Sequence, residues 1–331
     1  MRQAVQRIGT TMRGLMLLCA CTFAASLPAA SAVAQTYPTK PIRVIYPFQP
    51  GGVGEVMFRS LLPAIEPRLG QQVIIESRTG AGGNIGAQAV ANAPADGYTL
   101  LVGTINNFVI NQFLYADMSF DPMKAFTPIA VVAEVPLAFF VHASVPVSTL
   151  QEFVAHARAN AGKINYASPG AGTTPHLTVE LLGQLAGIQA THVPYRGLPD
   201  AMKAVLANDV QLYLAGFGAG RAHLQAGKLK VLAVGGNERL PTAPEVPTVA
   251  EAGFPNLEAR NYFALAAPAG TDRAIIDRWA EEMRHALAQP EARKRLLDGG
   301  FGPGTASPAE LRARMEREAK LWEGLIKSRA I

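Results

Sequence analysis

The chain has 331 residues, 49% hydrophobic and 17% charged, with 31 Gly, 24 Pro and 7% aromatics. That is apolar material for one large or two ordinary cores, and too much for disorder, a collagen-like repeat or a coiled coil. The formal charge of +5 is uneven, because Arg2, Arg7 and Arg13 lie in a 34-residue opening stretch without Asp or Glu, leaving 27 basic against 25 acidic residues beyond it. A duplex-binding face needs a basic stripe; none is present, and nucleic acid is not an expected partner.

The opening stretch has the three parts of an export signal: a positive region from Met1 to Gly14, an apolar run from Leu15 to Leu27, and the small-residue site Ala32-Val33-Ala34. Cleavage is expected after Ala34 and the mature protein in the periplasm. The apolar run is too short for a comfortable membrane anchor, which needs about 20 residues. Both cysteines, Cys19 and Cys21, fall inside it, so the mature chain is expected to have no disulfide or thiolate chemistry. Lipoprotein processing at Cys21 is the rival reading.

From Pro41 onward, β-rich runs alternate with helical stretches, the pattern of an α/β protein. Strands are expected at Ile42 to Tyr46, Gln72 to Glu76 and Tyr98 to Val102, joined by a glycine turn and a helix each time. Pro63 and Pro67 predict that the first helix is kinked or broken. Pro128 to Val141 reads as a strand leaving one sheet for a second, with Pro136 in its middle. A helix from Thr149 to Asn160 and a strand from Ile164 to Ala167 follow. The next helix is expected to have Thr174 as its cap, Pro175 at its start, and an apolar stripe through Leu177, Leu181 and Leu185. Gln189 to Val193, Val210 to Leu214, Lys230 to Val234 and Phe263 to Ala267 are further strands. The segment from Thr271 is helical, with a stripe through Leu311, Met315 and Leu325. The result is two doubly wound lobes with chain crossings near Pro136 and Asn261.

No metalloprotease motif, phosphate-binding lysine loop or nucleophile elbow is present. Gly80 to Gly86 loosely imitates a dinucleotide fingerprint, with its third glycine one residue late. His176 and Glu180 share a helix face, but no further ligand lies near them in sequence, and a metal usually wants three or four. Neither a cofactor nor a metal is expected. What recurs is glycine or threonine backbone at a helix start: Pro50 to Gly54, Gly80 to Gly86, and Gly170 to Thr174. Such turns either bind an anion through N–H groups and the helix dipole, or simply permit a tight strand-to-helix connection. Three of them facing one cleft would favour the first reading.

Several segments together carry a resemblance. They are Tyr37-Pro38-x-Lys40-Pro41-Ile42-Arg43, Pro47-Phe48-x-Pro50-Gly51-Gly52, Gly80-Ala81-Gly82-Gly83-Asn84-Ile85-Gly86, Asp96-Gly97-Tyr98-Thr99-Leu100, Val193-Pro194-Tyr195-Arg196-Gly197 and Pro244 to Gly253. In this order they resemble the Bug (TctC-like) family, solute-binding receptors of tripartite tricarboxylate transporters, from about Tyr37 to the chain end. The resemblance implies a type II periplasmic binding protein, with a signal over 1–34, one lobe over 35–136 and 262–331, and the other over 137–261. It implies hinge closure on a small organic acid, delivery to membrane permease subunits, and a monomer.

By the same resemblance, the first-lobe contacts are Phe48, Pro50, Gly51, Gly52, Glu55, Ala81, Gly82, Gly83, Asn84, Gly86 and Thr104. Those of the second lobe are Ser168, Gly172, Thr173, Thr174, Tyr195 and Arg196. Glu55 stands where the family usually has Asp, and Tyr262 lies near a crossing where members commonly place Trp. Tyr262 either lends its phenol to the ligand or packs the hinge. A ligand sensor for a signalling partner, or an exported enzyme using the same cleft, are the competing functions.

Overall fold

The computed structural model describes residues 37–331; the signal-like segment, with Cys19, Cys21 and the expected cleavage site, lies outside the described residues. Ten strands form one curled mixed sheet: β1 Ile42–Tyr46, β2 Val73–Ser77, β3 Thr99–Thr104, β4 Phe126–His142, β5 Asn165–Ser168, β6 Thr191–Pro194, β7 Leu212–Gly216, β8 Leu229–Val234, β9 Arg260–Pro268 and β10 Gly302–Pro303. The helices are α1 Val53–Leu69, α2 Asn84–Ala91, α3 Pro122–Ala125, α4 Leu150–Ala159, α5 Thr174–Ala186, α6 Leu198–Leu206, α7 Phe217–Gln225, α8 Arg273–Ala288, α9 Pro290–Asp298 and α10 Pro308–Arg329. No helix among the described residues is long and apolar enough to cross a membrane.

The strand order is β2-β1-β3-β9-β4-β7-β5-β6, with β8 and β10 also on β4. β1, β2 and β3 run parallel, as do β5, β6 and β7, while β4 and β9 run antiparallel to their neighbours. The 17-residue β4 therefore belongs to both parts of the sheet. Its residues Phe126 to Pro136 pair with β9, and from Leu137 it pairs with β7. Pro136 is tolerated at this changeover because its missing N–H falls where one ladder ends and the other begins.

Successive side chains of β4 point to opposite faces and enter different cores. Phe139 belongs to the core that holds Phe108, Phe126 and Trp322, whereas Phe140 belongs to the one that holds Tyr213, Phe217 and Val234. Both cores sit beneath helices, so the strand ends and the turns following them are left to form a site.

Three local expectations are corrected. α1 is not broken at Pro63 and Pro67 but runs as one helix through both, which lie on its exposed side, where carbonyls that lose an N–H partner can be hydrated. Thr173, not Thr174, is the residue preceding α5; Thr174 is its first helical residue. Of the α5 stripe, Leu177 and Leu181 are buried but Leu185 is 43% exposed. The α10 stripe through Leu311, Met315 and Leu325 is buried throughout.

Candidate functional site

A cavity of about 680 Å³ opens at the carboxyl ends of β1, β3, β5 and β7, the end of a parallel sheet where ligands bind. Its volume lies within the range of about 300–1,000 Å³ common to small-molecule sites. No side chain lining it is charged. Tyr46 and Phe48 come from the end of β1, Val135 and Leu137 from the changeover of β4, and Asn261 and Phe263 from the start of β9. Phe301 closes another side.

Two helix starts face this space. Gly172, Thr173 and Thr174 lead into α5, and Gly216, Gly218 and Ala219 begin α7; neither helix has a side-chain cap. The N–H groups of a first helical turn have no intrahelical partners and carry the positive end of the dipole. Gly218 packs so tightly on the Gly299 carbonyl that a Cβ there would collide with it, so only glycine lets the 299–301 turn close over α7.

A hydrogen-bonded asparagine cluster ties the walls together. Asn106 donates to the Gly172 carbonyl (3.0 Å) and accepts from the Thr174 hydroxyl (3.2 Å). Asn107 and Asn111 both donate to the Gly82 carbonyl, and Asn111 also donates to Asn84. Thr104, at the end of β3, donates through its N–H and its hydroxyl to Asn107. Three asparagines within the apolar run from Ile105 to Ile110 and its end are the sequence signal for this cluster, because buried amides are kept only where they are hydrogen-bonded.

Behind the α5 loop lies a stack of rings. His176 and His192 are parallel, 3.8 Å between centroids, with Tyr166 stacked on His192. Gly172 N–H donates to His176 Nδ1 (3.0 Å), which shapes the loop that lines the cavity. Burial, with His192 beside it, pushes His176 down to about 4, so it stays neutral and can accept that bond. Tyr166 donates to Glu180, which also pairs with Arg329. Glu180 is thus committed, and no metal-holding cluster occurs among the described residues.

Of the expected contacts, Phe48, Gly82, Thr104, Gly172, Thr173 and Thr174 line the cavity. The others do not. Pro50, Gly51 and Gly52 form a turn whose amides are satisfied internally: Gly51 N–H donates to Glu55 and Gly52 N–H to Gln49. Glu55 closes this turn and pairs with Arg59 at 2.7 Å, and the Arg59 hydrogen bond holds its carboxyl below the usual range. The Tyr46 phenol takes bonds from the Gly54 and Glu55 amides at the start of α1, while burial raises it to about 12.

Ala81, Gly83, Asn84 and Gly86 support the second glycine turn from outside the lining: Gly83 N–H bonds to Gly80, and Gly86 packs on Pro47. Ser168 is fully buried, 2.6 Å from His192 Nε2, and its hydroxyl also donates to Gly170. The Tyr195 amide holds the Ser168 carbonyl and Arg196 is exposed; Leu198, at the start of α6, is the residue of this region that reaches the cavity.

Tyr262 faces away from the cavity, since strand alternation turns Asn261 and Phe263 toward it. The Tyr262 phenol is fully buried and donates to Glu318 at 3.2 Å. Glu318 pairs with Arg314 (2.7 Å), which also pairs with Glu134 and lies over the Tyr262 ring. The α7 start escaped the sequence reading although Gly216-Phe217-Gly218-Ala219-Gly220 after a strand is the same signal as the other three turns.

Residues 57–331 match the model of the tripartite tricarboxylate transporter family receptor, TctC. The chain is 32% identical to Protein BugT of Bordetella pertussis over 300 residues, covering 90% of this chain and 92% of that one. It is 33% identical to a protein of Pseudomonas sp. strain P51 encoded in the tcbD-tcbE intergenic region, over 88% of this chain and 86% of that one. Among solved structures, an R. palustris protein with adipate superposes with a TM-score of 0.76 at 32% identity, covering 88% of this chain and 97% of that one. MatC from Rhodopseudomonas palustris with bound malate does so at 0.72 and 29%, covering 88% and 100%. The matching family is a transporter receptor, and the structural neighbour BugD is a periplasmic binding protein. With its fold and most of its length matched in this way, the chain belongs to the TctC/Bug family of periplasmic solute-binding receptors.

Proposed function

We propose that the protein captures a small carboxylate in this cavity and, as a monomer, delivers it to the membrane permease of a tripartite tricarboxylate-type transporter. The observation that carries the reading is the meeting of two helix starts, α5 and α7, neither capped by a side chain, at a cavity free of charged side chains. A carboxylate there is stabilised by backbone N–H groups and helix dipoles without a basic side chain. Relatives solved with adipate and malate support the same chemistry.

Residues 35–136 with 262–331 form one lobe in this reading, and 137–261 the other. They close about the β4 and β9 crossings because the ligand touches both. Thermal unfolding against a panel of organic acids and their amides tests it. An acid at about 100 times its Kd adds about 2.7 kcal/mol, a rise of a few degrees in Tm. Stabilisation by an acid and not by its amide is expected, as is its loss in the Thr173→Ala, Thr174→Ala variant. Equal stabilisation by acid and amide would sink the carboxylate reading.

A further inference from the structure

We infer that the carboxylate taken by this cavity has an unsubstituted hydrocarbon body, a medium-length aliphatic acid or diacid, and is not a hydroxyl-rich acid; this rests on the carboxylate-receptor reading above. Phe48, Phe263 and Phe301, with Val135 and Leu137 at the β4 changeover, make most of the wall apolar. Three further apolar side chains on the lining stand out in solvent: Val53 is 45% exposed, Tyr115 38% and Leu198 42%. Exposed apolar surface gathered at one cleft marks what an apolar partner covers.

Several polar side chains of the lining already have hydrogen-bond partners within the fold. The Thr104 hydroxyl is bonded to Asn107, Asn106 is bonded to Gly172 and Thr174, and Asn111 to Gly82 and Asn84. Thr173 donates its hydroxyl to Gly170. A ligand hydroxyl brought against the phenylalanine, valine and leucine part of this wall loses its water without gaining a partner, an unfavourable exchange. A methylene in the same place is driven there by the removal of apolar surface from water. The volume of about 680 Å³ also exceeds what a four-carbon acid fills.

Titration calorimetry on protein stripped of ligand by unfolding and refolding tests this, using succinate, adipate and suberate beside malate and tartrate. Affinity is expected to rise about fourfold for each methylene that becomes buried, with malate binding more weakly than succinate. Leu198→Ser, an exposed position whose change leaves the core intact, is expected to flatten the rise with chain length. Malate or tartrate binding more tightly than suberate would overturn the hydrocarbon inference and leave the carboxylate receptor standing. Binding of the corresponding amides as tightly as the acids, or of none of these acids, would overturn both.

Discussion

Asn261 and Phe263 look into an uncharged cavity, while Tyr262 between them looks into a buried cluster of paired charges. On the cavity side, polarity comes from asparagines, threonines and helix starts. On the opposite side, Glu134, Arg314 and Glu318 join β4 to α10, close to where β4 changes partners. The difference separates two tasks. Paired ions that tolerate no loss of a partner hold the crossing strands in register, whereas neutral groups with little desolvation to overcome face the ligand.

The strongest way to break that division is Arg314→Met. It removes the cation that bridges Glu134 and Glu318, and a loss of about 3–5 kcal/mol is expected in urea unfolding. The triple variant Glu134→Gln, Arg314→Met, Glu318→Gln should recover most of it; if the triple variant is as unstable as the single, packing and not charge is what Arg314 contributes.

Acid sharpens the contrast on the other side. His176 and His192 stack behind the α5 loop beside Tyr166 and Glu180, and His176 is neutral in the fold with a pKa of about 4 against an ordinary 6.5. Between those values the unfolded chain binds more protons, so stability is present above 6.5 and falls as pH drops toward 4. The loss reaches up to about 3 kcal/mol, with His192, also lowered by burial, adding in the same direction. His176→Asn keeps an acceptor for Gly172 N–H and should flatten the slope between pH 7 and pH 4; an unchanged slope would place the titration elsewhere.

The smallest effects come from a neighbouring pair on β9. Tyr262→Phe should cost about 1 kcal/mol of stability through its lost bond to Glu318 and leave ligand affinity unchanged. Asn261→Ala should do the reverse, weakening ligand binding about tenfold at a stability change within about 0.5 kcal/mol. Paired calorimetry and unfolding measurements on the two variants read both quantities, and a crossed result would erase the distinction between the two faces of the strand.

Much of the fold was legible because its strands are short, β-rich and bounded by glycine or proline: β1 lies where expected, and β4 passes through Pro136 as the pattern implied. β10 was not legible, since two residues carry no periodicity. Within the site, the turns before α2 and α5 were visible as glycine and threonine backbone. Leu114, Leu137 and Phe301 were not, because each reaches the cavity through tertiary packing that no local spacing encodes. Tyr262 was placed in the right region with its facing undecided, and one residue of strand register determines which side a side chain takes. Glu55 was marked by its place in the family pattern, and the fold gives it a local task, closing the turn onto Gly51.

Every strand that pairs with β4, namely β7, β8, β9 and β10, follows it in the chain. β1, β2 and β3 can associate as soon as they exist, yet the longest strand has no partner until β7 at Leu212–Gly216, and its Phe126–Pro136 part none until β9 at Arg260–Pro268. Closing such distant loops is entropically slow, and an unpaired apolar strand is a template for association in the meantime. The strand that unites the finished sheet thus draws every one of its partners from chain that follows it, and its pairing requires the closure of long loops.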